Sequence, residues 1–195
     1  LEATEHILIL TIHHIVSDGW SMGIFFHELG AFYDGFVHGR SPSLSPLPIQ
    51  YGDFVYWQQQ ELSGEKLEQQ LGYWRQQLDS AATLLELPTD RPRPVVQRFQ
   101  GAGKTHWLPA SLSQNLHNLS KQEGVTPFMI LLAVFATLLH RYTRQNDILI
   151  GSPIANRTQP QVEPLIGFFV NTLVLRADLS GQPTFRQLLQ RARET

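Results

Sequence analysis

A pair of histidines directly follows an apolar run near the start of the sequence. Residues 7–12 read Ile-Leu-Ile-Leu-Thr-Ile, and His13, His14, Asp18 and Gly19 come after them. The run is apolar enough to predict a strand that is buried on both faces. Asp-Gly is a turn signal, in which glycine supplies positive φ or room for a close backbone approach. The sequence therefore predicts a strand, then a turn that folds the carboxylate back toward the histidines.

The histidine pair is a candidate acid/base centre, because histidine exchanges protons near neutral pH. Neighbouring strand residues point to opposite faces, so His13 and His14 can both face one substrate only if the chain turns between them. We expect one histidine to be catalytic and the other structural.

Two other interpretations of the pair stay open. The histidines could be satisfied polar residues with no chemical role, or they could bind zinc together with a carboxylate. The zinc interpretation lacks a third ligand at a regular spacing, and the sequence contains neither HExxH nor CxxC. His27 is the one further candidate ligand nearby, and it is explained as a solvent-exposed histidine on a helix.

Residues 13–21, His-His-Ile-Val-Ser-Asp-Gly-Trp-Ser, resemble the HHxxxDG signature of nonribosomal peptide synthetase condensation domains. Their sequence is most similar to that of the condensation domains that join two L-configured aminoacyl units. Chloramphenicol-acetyltransferase-like acyltransferases share the signature, so it identifies a superfamily and no substrate.

Three further blocks resemble the condensation family and follow in the expected order. Residues 51–58 match Y-x-D-[FY]-x-x-W-Q, residues 151–157 match G-x-P-x-x-x-R, and residues 166–172 match I-G-x-F-V-N-T. Because four blocks occur in the family's order across most of the chain, chance is an unsatisfactory explanation of the resemblance.

The resemblance implies an α/β (α+β), two-lobed chloramphenicol-acetyltransferase-like fold, of which this chain covers the central part. Residues 1–45 would end the N-terminal lobe, residues 46–100 would form a helical connector and linker, and residues 101–195 would begin the C-terminal lobe. Family members are considerably longer, and their earlier and later motifs have no counterpart here. We therefore expect an internal piece of a larger polypeptide, inactive when isolated.

Periodicity and capping signals predict the individual elements. The predicted helices cover 21–37, 49–62, 65–78, 111–123, 126–142 and 184–193, and the predicted strands cover 103–108, 147–150 and 172–177. Proline-rich connectors are predicted at 41–48 and 87–94. The helix that begins at Thr126 should be buried, and the predicted inward-facing residues of the second and third helices are Phe54, Trp57, Leu67, Leu71 and Trp74.

The resemblance and the chemistry of amide formation assign roles to five residues. His14 would act as the base or hydrogen-bond partner of the attacking amine, and Gly19 would let a backbone amide approach the developing oxyanion. The family pairs the signature aspartate with an arginine, which implies that Asp18 pairs with Arg157. His13 would support the site structurally.

The implied partners are upstream and downstream peptidyl carrier domains and an adjacent adenylation domain. No cofactor would be bound by the domain itself, because phosphopantetheine is attached to the carriers. Neither a metal, nor nucleic acid, nor a membrane is an expected partner, since the net charge is −2 and the longest apolar run, 128–136, is too short to span a bilayer. The chain has no cysteine. A cytoplasmic location is the default expectation.

Two rival functions remain at this stage. A coenzyme A-dependent acyltransferase of the same superfamily would use His14 on a hydroxyl or an amine, and the blocks at 51–58 and 166–172 count against it. The second rival function is that of a non-catalytic, condensation-like module that recruits partners. Epimerisation domains share the histidine signature as well, but residues 17–21 and the block at 166–172 favour condensation.

Overall fold

A computed structural model describes residues 5–92, 94–96 and 100–195. Arg93, within the predicted connector 87–94, lies outside the described residues. The helices are α1 (Gly19–Val37), α2 (Tyr51–Glu61), α3 (Gly64–Gln77), α4 (Ala110–Glu123), α5 (Pro127–Thr143) and α6 (Phe185–Glu194). The strands β1 (Asp147–Ile154) and β2 (Asn171–Asp178) are hydrogen-bonded into a two-stranded sheet, and two 3-10 turns lie at His14–Val16 and Pro160–Val162.

Capping side chains fix where three of the helices begin. Asp18 accepts the backbone N–H of Ser21 and starts α1, two residues earlier than predicted. Thr126 and Thr184 cap α5 and α6 by accepting the N–H three residues later. These bonds satisfy amide groups that have no partner inside the helix, which is why such residues favour helix starts.

The chain divides into two compact units. Unit 1 contains the described residues up to Tyr73 together with Pro153–Leu173, and unit 2 contains Trp74–Ser152 and Val174–Thr195. Both units are discontinuous in sequence. The lobe boundaries at 45 and 100 stay a prediction.

The core of unit 1 is a small aromatic and aliphatic cluster. Phe54 of α2 packs there with Val162, Leu165 and Phe169, and Tyr51 lies against the cluster. The cluster joins α2 to the loop after β1, so it holds in place the segment that precedes β2.

The core of unit 2 forms around α5. One face of this helix is buried by α6 and α4, with Ile130 and Ala133 packed against Leu189. Farther along the same face, Leu139 packs with Ile148 of β1. The opposite face of α5 is exposed: Phe128, Leu131, Val134, Phe135, Leu138 and Tyr142. The prediction of a buried helix is therefore correct for one face only.

The strand predicted for residues 7–12 is wrong. These residues adopt no regular element in the structure, and Ile9 is 85% exposed. The strand predicted for 103–108 is wrong for the same reason, since that segment also lacks regular structure. A strand is stabilised by pairing with neighbours, and the described residues contain only β1 and β2, which pair with one another.

The predicted interior of α2 and α3 is only partly correct. Phe54 is buried, whereas Trp57, Leu67 and Leu71 are exposed. Apolar residues at helical spacing show which face is apolar, but burial also needs an element that covers this face. Trp74 is half-buried.

In the described part of the chain, no single helix is long and apolar enough to cross a membrane. The α4–α5 pair reaches that length and composition only when both are counted, with a bend of 102° between them.

Candidate active site

The two histidines lie at a turn and have different hydrogen-bonding roles. His13 is extended and its Nδ1 accepts the N–H of Ile15 at 3.0 Å, which caps the 3-10 turn His14–Val16. The chain thus turns between the histidines, so they are not separated onto opposite faces of a strand, and their different hydrogen bonds distinguish them instead. This turn, and no strand, sets the direction of His14.

The imidazole of His14 is fixed by a bond within its own turn. His14 Nδ1 lies 2.6 Å from the carbonyl oxygen of Ser17. A carbonyl can only accept, so Nδ1 bears the proton, and the neutral ring then has its lone pair on Nε2. His14 is exposed, whereas Ser17 is buried. In this tautomer the nitrogen that can accept a proton, Nε2, lies on the side of the ring away from Ser17.

Asp18 is a buried carboxylate with a complete set of donors. Its Oδ1 accepts the N–H and hydroxyl of Ser21, both at 2.8 Å, and its Oδ2 accepts the N–H of Phe169 at 3.0 Å. Burial alone would raise the pKa of Asp18, but these bonds and the charge of Arg157 outweigh burial and lower the pKa from 3.8 to about 2. Asp18 is therefore ionised at neutral pH.

Arg157 neutralises Asp18 and binds the following loop. Its Nη2 lies 3.3 Å from Asp18 Oδ1, and the side chains of Asp18 and Arg157 are only 2% and 1% exposed. Its Nη1 donates to the carbonyls of Val162 at 2.6 Å and Leu165 at 2.8 Å. The guanidinium also lies 4.0 Å from the ring centre of Phe169. The pair implied by the family resemblance is present, and the arginine also shapes the loop 162–165.

Ser21 connects α1 to the segment before β2. Its fully buried hydroxyl oxygen accepts the N–H of Gly167 at 3.0 Å and Nη2 of Arg157 at 2.9 Å. The single hydroxyl proton has two acceptors at 2.8 Å, Asp18 Oδ1 and the carbonyl of Gly167. It donates to one of them at a time. The oxygen therefore has no remaining capacity for a further partner.

Residues 167–169, which we call the clamp segment, lie against the histidine turn. The ring of Phe168 meets the imidazole of His14 edge-on, with centroids 5.3 Å apart and planes at 90°. Tyr51 donates its hydroxyl to the carbonyl of Phe168 at 2.8 Å. Gly167 is required here, because a β-carbon would overlap the ring of Tyr51 and lie 3.1 Å from the ring of Phe169. The clamp segment is held from three directions.

Gly19 begins α1 without the positive φ that was one possible reason for glycine at this position. A β-carbon there would meet no atom within 4 Å. Gly19 lines an open cleft of about 620 Å³ with Gly23 and His27 of α1 and with Leu44. The role of Gly19 as a point of close backbone approach stays a prediction. His27 is exposed on α1, as expected for a solvated helix histidine.

The predicted site residues thus fall into two groups. Asp18 and Arg157 lie together in the interior, and His13 and His14 lie on the adjoining turn. The prediction that the carboxylate folds back toward the histidines is wrong, because its donors among the described residues are Ser21, Phe169 and Arg157. Helix capping turns the side chain of Asp18 inward instead. No group of three or more His, Cys, Asp or Glu side chains that could hold a metal ion occurs within the described ranges.

Sequence reasoning assigns no role in the site to Ser21, Tyr51 or Phe168. Ser21 is identifiable from sequence only as a helix residue near the start of α1, and Tyr51 only as part of a family block. The signal for the clamp segment is present in the block at 166–172, where a glycine precedes two aromatic residues. That pattern is compatible with a tight backbone approach, but which side chain approaches depends on the tertiary fold.

Comparison with known proteins decides the family. The model of the family described as Condensation domain matches residues 1–195. The chain belongs to the condensation-domain family. A linear gramicidin synthase protein of Brevibacillus parabrevis is 54% identical over 191 residues, which are 98% of this chain and 2% of that protein. Phosphinothricin tripeptide synthetase PhsC of Streptomyces viridochromogenes is 44% identical over the whole chain, which spans 18% of its length.

Solved structures agree with this assignment. The X-domain from teicoplanin biosynthesis superposes with a TM-score of 0.86 at 31% identity, over 94% of this chain and 42% of that one. The X-domain in complex with OxyB matches equally well. A four-domain nonribosomal peptide synthetase bound to AMP and glycine matches with a TM-score of 0.78 at 30% identity, over 94% of this chain and 14% of that one.

These comparisons confirm the resemblance and the fold class. The chain has the mixed α/β fold of condensation domains and is related to synthetases of secondary metabolites. It spans less than half the length of each of the relatives and structures just described.

Proposed function

We propose that this condensation-domain segment takes part in peptide-bond formation between two carrier-bound substrates. The donor is an aminoacyl or peptidyl thioester, and the acceptor is an aminoacyl amine. The observation on which the proposal depends is the bond between His14 Nδ1 and Ser17 O at 2.6 Å. It leaves Nε2 as the acceptor that a reacting amine needs.

The reaction follows from the requirements of amine attack on a thioester. The amine nitrogen forms a bond to the thioester carbon and loses a proton to His14 Nε2, while the carbonyl oxygen gains negative charge. The tetrahedral intermediate then collapses, the carbon–sulfur bond breaks, and the proton returns to the departing thiolate. A positioned general base contributes about 10²–10⁴-fold to such a step.

Gly19 is proposed to help stabilise the oxyanion. Its backbone lies at the positive end of α1 and is open to the cleft. A backbone N–H at a helix start is suited to stabilise negative charge that develops on oxygen. Asp18, Arg157 and His13 are proposed to support the site without contacting the reacting atoms.

Upstream and downstream carrier domains are the proposed partners, together with an adenylation domain in the same polypeptide. Support comes from the relatives, which are synthetases far longer than this chain, and from the matching four-domain structure. The phosphopantetheine arm would belong to each carrier and enter as part of the substrate. A cytoplasmic location stays the default proposal.

The test is amide formation between two aminoacyl carrier thioesters by the full-length protein that contains this chain. His14→Ala should lower product formation by about 10²–10⁴-fold. His117→Ala is the matched control, because His117 is a histidine of α4 outside the site, bonded within its own helix, and its loss should leave the rate unchanged. Undiminished amide formation by folded His14→Ala would reject the role of His14.

A recruiting module is the second candidate function, favoured by one observation. The X-domain that matches this chain was solved in complex with OxyB. If wild-type protein forms no amide with several substrate pairs while binding a partner protein of its pathway, the recruiting function would replace the catalytic one.

A further inference from the structure

Phe168 presents an apolar ring to solvent beside the imidazole of His14. The residue is 39% exposed although it follows a buried glycine and precedes a buried phenylalanine. The ring centroid lies 5.3 Å from the imidazole centroid of His14. The ring therefore borders the exposed imidazole that a substrate would have to approach.

The backbone on both sides of this ring is immobilised by buried hydrogen bonds. Gly167 bonds to the Ser21 hydroxyl through its N–H at 3.0 Å, and Phe169 donates its N–H to Asp18 at 3.0 Å. The carbonyl of Phe168 itself accepts the hydroxyl of Tyr51 at 2.8 Å. The backbone that bears the ring cannot move aside for a bulky ligand without breaking these bonds.

We propose that Phe168 is a specificity-determining residue, whose ring forms one wall of the space at His14 Nε2 and limits the side chain of the reacting aminoacyl acceptor. This inference rests on the proposed function. The acceptor amine must contact Nε2, and the side chain of an aminoacyl group is attached one carbon away from that amine. The side chain and the carrier-bound carbonyl are both attached to that carbon, and the proposal places the side chain against the exposed ring of Phe168.

The test compares acceptors of different size with the full-length protein. Carrier-bound glycyl, leucyl and phenylalanyl thioesters are used with one common donor, and kcat/KM is measured for each. Phe168→Ala should increase the phenylalanyl-to-glycyl ratio of kcat/KM by about tenfold or more, because pocket contacts of one or a few methylene groups change discrimination by about 10–200-fold. Phe168→Trp should decrease the same ratio, and Phe168→Leu provides a milder truncation if Phe168→Ala does not fold.

Tyr56→Ala is the matched control. Tyr56 is an aromatic residue of α2 that is 68% exposed, and its removal should leave the ratio unchanged. A uniform decrease for all acceptors in the Phe168 variants, with no change in the ratio, would overturn the inference and leave Phe168 as a positioning residue for His14. Wild-type protein that forms no amide with any acceptor would overturn the proposed function, and this inference with it.

Discussion

The ring of Tyr51 occupies the space that a β-carbon on Gly167 would need. The same tyrosine donates its hydroxyl to the carbonyl of the next residue, Phe168. One aromatic side chain therefore both requires a glycine and orients the residue that follows it. Because the ring of Phe168 contacts His14, the closeness of Tyr51 and Gly167 affects the candidate catalytic histidine.

Gly167→Ala should destabilise unit 1. The added methyl overlaps an aromatic ring that is bonded in place, and overpacking of this kind costs about 1–3 kcal/mol. Urea unfolding monitored by tryptophan fluorescence would measure the loss. Gly30→Ala in α1 is the control, since its β-carbon would meet no atom within 4 Å, and it should raise stability by about 0.5–1 kcal/mol. Equal stability of Gly167→Ala and wild type would contradict the described packing.

Asp18→Ala should lose folded protein before it loses chemistry. It leaves the buried charge of Arg157 uncompensated and removes the cap of α1, which together cost about 3–5 kcal/mol. The measurement is the free energy of unfolding, with activity assayed on the folded fraction. Lys66→Ala breaks the exposed pair with Glu61 and should cost less than about 1 kcal/mol. An inactive Asp18→Ala protein with full thermal stability would show a direct chemical role instead.

Low pH should lower the free energy of unfolding of unit 1, because the carboxylate of Asp18 becomes protonated. The pKa of Asp18 in the folded state, about 2, lies below the ordinary 3.8. The contribution of the ionised carboxylate to the free energy of unfolding is therefore complete well above pH 3.8 and is lost as pH falls toward 2. The contribution is on the order of 2 kcal/mol. Unfolding free energies at about pH 6 and about pH 2.5 should therefore differ more in wild type than in Asp18→Asn. An identical pH dependence of both proteins would refute this assignment.

Leu189→Ala should destabilise unit 2. Leu189 is buried in α6 against Ile130 and Ala133 of α5, and truncation of a buried leucine costs about 2–5 kcal/mol. Thermal or denaturant unfolding gives the change in free energy. Leu131→Ala is the matched control on the exposed face of α5, with an expected cost below about 1 kcal/mol. Similar losses for both variants would argue against the assigned buried face.

Local signals predict the helices well because each helix has its own start and stop chemistry. Thr126 and Pro127 identify the start of α5 from neighbouring residues alone, whereas α1 begins two residues before its predicted start because Asp18 is its cap. The residues of the HHxxxDG signature are also identifiable, since they are adjacent in sequence. Sequence therefore predicts, through the family resemblance, the buried ion pair, but it places the turn at Asp18–Gly19 and the structure has it at His14–Val16.

The environment of these residues cannot be predicted in the same way. The apolar pattern of 7–12 indicates what the segment can do in a sheet, but strand formation depends on a partner supplied by other parts of a fold. Likewise, Ser21 and Gly167 are 146 residues apart, and no local pattern indicates that they meet. The carboxylate of Asp18 turns away from the histidines because its cap bond and the distant arginine both hold it in the interior.

The ion pair between Asp18 and Arg157 has a consequence for synthesis on the ribosome. The two residues are separated by 139 positions, and at about 5–20 residues per second the arginine is added roughly 7–28 s after the aspartate. During that interval the nascent histidine turn lacks the guanidinium that neutralises its buried carboxylate. The candidate active site can therefore reach its final form only after the segment that follows β1 has emerged from the ribosome.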